Sequence, residues 1–122
     1  FGLALTCFGQ DAEPALPPAS TRQDVTYDNT VKAIFDASCV KCHNGADKAK
    51  KPKAGLALNS LEGALKGGKH GKVIIPGDSA KSDLVLSVAH VGDPDTFMPK
   101  KAKQLTPEQI GLIRAWIDQG AK

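Results

Sequence analysis

Apolar residues recur at helical spacing in four places along the chain. Tyr27, Val31, Ile34 and Phe35 mark the first, with Thr26 or Asp28 placed to cap the free amides of its first turn. Leu61, Ala64 and Leu65 mark a brief second helix that Ser60 would start. Leu84, Val85 and Val88 form the apolar face of a third, expected over roughly residues 80–89. The fourth has the clearest boundaries: Thr106 as cap, Pro107 in the first helical position, Glu108 and Gln109 in the first turn, and a stop at Gly120. Ile110, Ile113 and Ile117 share its face, with Leu112 and Trp116 beside them.

The segments between these helices are long and lack periodicity. "NGADKAKKPKAG" carries Gly, Pro and charge, and "HVGDPDTFMPKKAKQL" is similar. "GGKHGKVIIPGDSAKSD" is loop around one apolar patch, Val73 to Ile75, expected to be buried; "LALNS" is too short to assign. No strand-rich run, repeat or alternating βα pattern is visible, so the expected fold is all-α, about four short helices joined by long loops. Loops of this length in a compact domain are used for function or wrap something.

Ahead of the first helix, "FGLALTCFGQ" begins inside an apolar run. Residues 1–9 read as a residual export signal or a membrane or lipid anchor, far too short in apolar length to cross a bilayer. Cleavage after Gly9, lipid attachment at Cys7 and a fragment boundary all stay open. Residues 10–25, "DAEPALPPASTRQD" included, read as a flexible Pro/Ala-rich linker, and residues 26–122 as one domain.

The 122 residues leave room for little beyond one domain. Apolar residues make up 41% and aromatic residues 5%. The core must therefore be built from small aliphatic side chains, with Phe35, Phe97 and Trp116 as its few large pieces. Such a thin core commonly recruits a disulfide, a metal or a cofactor. Charge is uneven: Asp11, Glu13, Asp24 and Asp28 outweigh Arg22 in the first thirty residues, so the total of +3 leaves the folded part strongly basic. Lysines cluster at Lys48, Lys50, Lys51 and Lys53, and again at Lys100, Lys101 and Lys103, a face that would steer acidic partners. Nucleic acid is disfavoured, because arginines are few and no binding motif is present.

The chemistry concentrates in "CVKCH", Cys39 to His43, directly after the first helix. A structural zinc site needs four ligands, and no second cysteine pair is present. Thiol–disulfide exchange needs its first thiolate at a helix start in a βαβ framework, whereas here the motif follows a helix. Covalent haem explains more: Cys39 and Cys42 would each bond one vinyl group of a single porphyrin, and the His43 imidazole would be held under the iron. The second axial ligand would then be Met98, the one methionine, in a loop and followed by Pro99. His70 and His90 are the rivals, each read as a solvent-facing loop residue.

At this point the sequence resembles a class I cytochrome c. "CVKCHNG", "AGLALNS", "ALKGGKHGKVIIPGDSAKSDL", "FMPKK" and "LTPEQIGLIRAWIDQGA" are similar to the planctomycete-type cytochrome c domain over about residues 28–121. Lys100 stands where that family often has a second proline. The resemblance implies a small class I cytochrome c fold wrapped around one covalently attached haem c, with Cys39 and Cys42 as thioether residues, His43 as proximal ligand and Met98 as distal ligand. The first and last helices would cross beside the haem, bringing Ile34, Phe35, Ile113, Trp116 and Ile117 together. Phe35, Val73, Ile75, Leu84 and Trp116 would line its pocket, and a carbonyl between Pro52 and Gly55 would hold the other ring nitrogen of His43.

The expected function is one-electron transfer without catalysis, between exported or membrane-bound redox partners. Lys41, Lys51, Lys53, Lys100 and Lys101 would dock the acidic surface of a respiratory or photosynthetic membrane complex or an oxidoreductase. The implied location is the periplasm or another extracytoplasmic space, with a possible membrane tether through the N-terminus. A haem subunit fixed in a membrane or filament assembly is the alternative, ahead of a gas sensor or peroxidase.

Overall fold

The computed structural model describes residues 16–45, 51–100 and 102–122, and the expectations for residues 1–15 and for Lys48, Lys50 and Lys101 lie outside them. A π-helical stretch, Tyr27–Val31, runs directly into α1, Lys32–Ser38. Three further helices follow: α2, Leu61–Lys66; α3, Asp83–Val88; and α4, Pro107–Asp118. Short 3₁₀ turns at Lys53–Gly55, Ser79–Lys81 and Pro94–Thr96 punctuate the loops. No strand is present among the described residues, and the fold is all-α. None of these helices is long and apolar enough to cross a membrane.

Local chemistry sets the helix ends. Thr26 accepts from the Asn29 amide while the Asn29 side chain returns a bond to the Thr26 amide, and Thr106 and Gln109 repeat this reciprocal arrangement at α4. The Ser60 hydroxyl accepts from the Gly63 amide to start α2. At the far end of α4, Gly120 turns the chain at φ +107°, in the left-handed region that glycine enters freely. The third helix is shorter than its periodicity suggests. Fully buried Ser82 sits extended, its hydroxyl accepting from the Ile75 amide and donating to the Asp78 carbonyl, so the 3₁₀ turn and α3 are separate pieces.

The core lies where α4 meets the first helical stretch. Ile34, Phe35, Ile113, Trp116 and Ile117 are all buried in one cluster, as the crossing of first and last helices requires. Tyr27 completes it. Its ring sits 6.1 Å from Phe35 and 6.3 Å from Trp116, and Phe35 meets Trp116 edge to face at 6.1 Å. Leu84, Val85 and Val88 close the cluster from α3.

Two expected core pieces lie elsewhere. Phe97 is only half-buried and stacks flat on His90, with centroids 4.7 Å apart, because the acidic loop carries it to the edge of the core. Of the patch Val73 to Ile75, only Ile74 is buried. Val73 is half-buried, and Ile75 is 46% exposed, pointing away as the chain turns toward Gly77.

The chain from Leu16 to Val25 lies along α4. The Ser20 amide donates to the Gly111 carbonyl at 2.9 Å, and the Arg114 guanidinium reaches both the Pro17 carbonyl and the Ser79 hydroxyl. The Gln119 side chain donates to the Arg22 carbonyl and accepts from the buried Val25 amide. Gly111 permits the close approach: a Cβ there would stand 2.7 Å from the Pro18 carbonyl oxygen.

Candidate functional site

The motif occupies the turn that closes α1. The Cys39 and Val40 amides both donate to the Phe35 carbonyl, and the Cys42 and His43 amides both donate back to the Cys39 carbonyl. Both thiols are thus carried on one helical turn, Cys39 half-buried against the core and Cys42 exposed.

The short segment Lys53–Leu58, the end of one expected loop and the start of the unassigned "LALNS", grips this turn through the backbone. The Lys53 amide donates to the Cys42 carbonyl at 2.8 Å, and the Leu58 amide to the His43 carbonyl at 2.7 Å. Between these two bonds, His43 Nδ1 lies 3.0 Å from the Lys53 carbonyl and 3.2 Å from the Leu56 carbonyl. Lys53 falls within the span expected to supply this partner. Carbonyl oxygens only accept, so Nδ1 must carry the proton, and the lone pair of the neutral ring resides on Nε2. Nε2 is therefore the ring nitrogen that could hold a metal.

This clamp is itself held from two sides. The Tyr27 hydroxyl donates to the Leu58 carbonyl at 2.9 Å, and the Lys69 amide to the Ala54 carbonyl at 2.8 Å. Ala54 is left-handed at φ +56°, which turns the Lys53 and Ala54 carbonyls to opposite tasks.

Burial pushes the Cys39 thiol up to about 11. Zinc binding and disulfide exchange both use thiolate, the form that this environment disfavours. A thioether carries no charge and suits the same place without that cost. The donor set therefore fits a covalently held porphyrin: two thiols on one turn, one of them in an apolar setting, and an imidazole whose tautomer is fixed by its neighbours.

Met98 is half-buried and packed against the core, and its amide donates to the Ser87 carbonyl at the end of α3. Its loop is cross-braced. His90 Nε2 stands 3.0 Å from the Met98 carbonyl, Lys100 Nζ donates to the Asp95 carbonyl, and the Thr96 hydroxyl donates to the Asp93 carbonyl. His90 thus differs from its expectation as a solvent-facing residue, because its ring is stacked and bonded inside the loop. His70 is exposed.

Among the residues expected to line a pocket, Phe35 and Trp116 have no exposed surface and Leu84 is nearly as enclosed. Partly exposed apolar surface is found instead at Val73, Ile75 and two residues not expected to line a pocket, Val40 and Leu65. Periodicity alone could not separate these from ordinary core. Of the lysines expected at a docking face, Lys41, Lys51, Lys53 and Lys100 are exposed.

Two thiols and an oriented imidazole on one helical turn, in an all-α frame, define the haem-attachment element of a c-type cytochrome. Residues 39–102 match the planctomycete cytochrome C family, and the chain belongs to it. No curated protein and no solved structure matches the chain.

Proposed function

We propose that the protein is a monohaem c-type cytochrome that carries single electrons between partner proteins and catalyses no reaction of its own. Haem c, when bound, supplies a ferric/ferrous couple. Cys39 and Cys42 would hold the porphyrin through thioethers, and His43 Nε2 and the soft sulfur of Met98 would serve the iron. With His43 and Met98 both given to the iron, no substrate would have room there. Val40, Leu65, Val73 and Ile75 would offer the porphyrin apolar surface, and Phe35, Leu84 and Trp116 would back that lining from within the core.

The observation that carries this reading is the clamp on His43. Two backbone carbonyls receive the Nδ1 proton, and two amide-to-carbonyl bonds hold the turn that carries the ring, which leaves Nε2 as the nitrogen open to a metal. Lys41, Lys51, Lys53 and Lys100, with Lys101, would dock an acidic partner in a small, transient interface. Covalent attachment of haem takes place outside the cytoplasm, which suits an extracytoplasmic location.

The test is expression with haem-attachment machinery, followed by intact mass and a reduced-minus-oxidised visible spectrum. One covalently added haem is expected, and its absence overturns the reading. Met98→Ala should abolish the sulfur-to-iron charge-transfer band, lower the potential and open the ferrous iron to carbon monoxide. Electron transfer to an acidic partner should slow as ionic strength rises; a flat response would remove the lysines from docking.

A further inference from the structure

We infer that His90 is the positioning residue for Met98, holding the ligand loop against the end of α3; this rests on the reading of Met98 as the axial ligand. Three observations meet at this side chain. Its Nε2 is 3.0 Å from the Met98 carbonyl, which can only accept, so the contact requires a proton on Nε2. Its ring lies parallel to Phe97, within 3° and with centroids 4.7 Å apart, so the residue before the ligand is held as well. Its backbone takes φ +58°, just past the C-terminal end of α3, where glycine is the ordinary occupant.

A non-glycine residue in that conformation is disfavoured locally. Here the left-handed turn swings the imidazole back over the loop that left the helix. The rest of the loop reinforces the same point without reaching Met98 by a side chain. Lys100 and Thr96 brace the backbone at Asp95 and Asp93, and the Met98 amide is tied to Ser87. His90 is the side chain that grips the Met98 peptide itself. Its contribution is to limit how far the thioether sulfur can withdraw from iron, and so to resist displacement by outside ligands.

The experiment uses the haem-loaded protein and titrates ferric wild type and variants with imidazole, following the sulfur-to-iron charge-transfer band. His90→Gly is the central variant, since glycine accepts φ +58° without strain and removes only the ring. Imidazole should displace the sulfur at concentrations about five- to ten-fold lower in His90→Gly, the size expected for one hydrogen bond. His90→Gln, which keeps a side-chain N–H, should recover part of that difference. A general loosening of the fold would not be rescued in this way. Unchanged imidazole affinity in His90→Gly overturns the inference, and so does an equal weakening in His90→Gly and His90→Gln. Met98→Ala separates the two levels: if it leaves the oxidised spectrum unaltered, the assignment of Met98 has failed before His90 is tested.

Discussion

The buried hydroxyl of Tyr27 donates to the Leu58 carbonyl, 2.9 Å away, and so ties the first helical stretch to the segment that orients His43. Tyr27→Phe keeps the ring against Phe35 and Trp116 but leaves that carbonyl unpaired. The expected loss is about 1–2 kcal/mol of stability, measured by denaturant unfolding of the holoprotein. Burial first, and then the charge of Asp36, raises the Tyr27 phenol above its usual value. A raised phenol favours the protonated, folded form. Its contribution is complete below the unfolded-state value near 10 and fades as pH rises toward the folded one. The gap between wild type and Tyr27→Phe should therefore narrow above about pH 10. A gap that stays constant there would show that Tyr27 ionises equally in both states.

The parts of this molecule legible in the sequence are those written locally. Thr26, Ser60 and Thr106 announce helix starts by chemistry within three residues, and Cys39, Cys42 and His43 stand within one five-residue stretch. Features made by backbone atoms at a distance leave no such trace. The His43 clamp uses backbone carbonyls, for which any residue would serve: the expected span takes in Lys53, but nothing in the letters of "LALNS" marks Leu56 as the second partner. The grip of His90 on Met98 is likewise to a peptide oxygen. Phe97 shows the converse problem: its type suggests core, yet an acidic loop delivers it to a histidine at the margin.

Ala54 offers a way to move the His43 clamp without touching a ligand. At φ +56° an alanine is tolerated, but a β-branched residue is not. Ala54→Val should cost on the order of 1–2 kcal/mol and turn the Lys53 carbonyl away from Nδ1. Losing that acceptor makes the imidazole less basic and the ferric state less favoured, so the reduction potential should rise. Ala54→Gly, which keeps the turn, should leave the potential in place and change stability by no more than about 1 kcal/mol. Potentiometric titration of the three proteins decides it. Equal potentials would mean that the carbonyl does not tune the ligand.

Gly111 sits in the middle of α4, where alanine would ordinarily add about 0.5–1 kcal/mol. The Pro18 carbonyl forbids it, since a Cβ would come within 2.7 Å of that backbone oxygen. Gly111→Ala should therefore destabilise despite its better helix propensity, and Gly111→Leu should lift residues 16–25 off the helix altogether. Trypsin cleavage after Arg22 reports this directly. Cleavage should be faster in Gly111→Leu than in wild type, and an unchanged rate would show that the segment is not held by this groove.

Gln119 holds the same segment by both ends of one amide. Its nitrogen donates to the Arg22 carbonyl at 2.7 Å and its oxygen accepts from the Val25 amide at 3.0 Å. Gln119→Glu keeps the acceptor for Val25 but replaces the donor with an oxygen that faces the Arg22 carbonyl. Gln119→Ala removes both bonds and strands the buried Val25 amide. Glutamate should thus cost about one hydrogen bond, near 1 kcal/mol, and alanine more, about 2–3 kcal/mol, because an orphaned buried donor loses its full solvation. The order of the two variants is the discriminating result. If glutamate proved the more damaging, repulsion at Arg22 would outweigh the buried amide, and the segment would be held chiefly from its outer end.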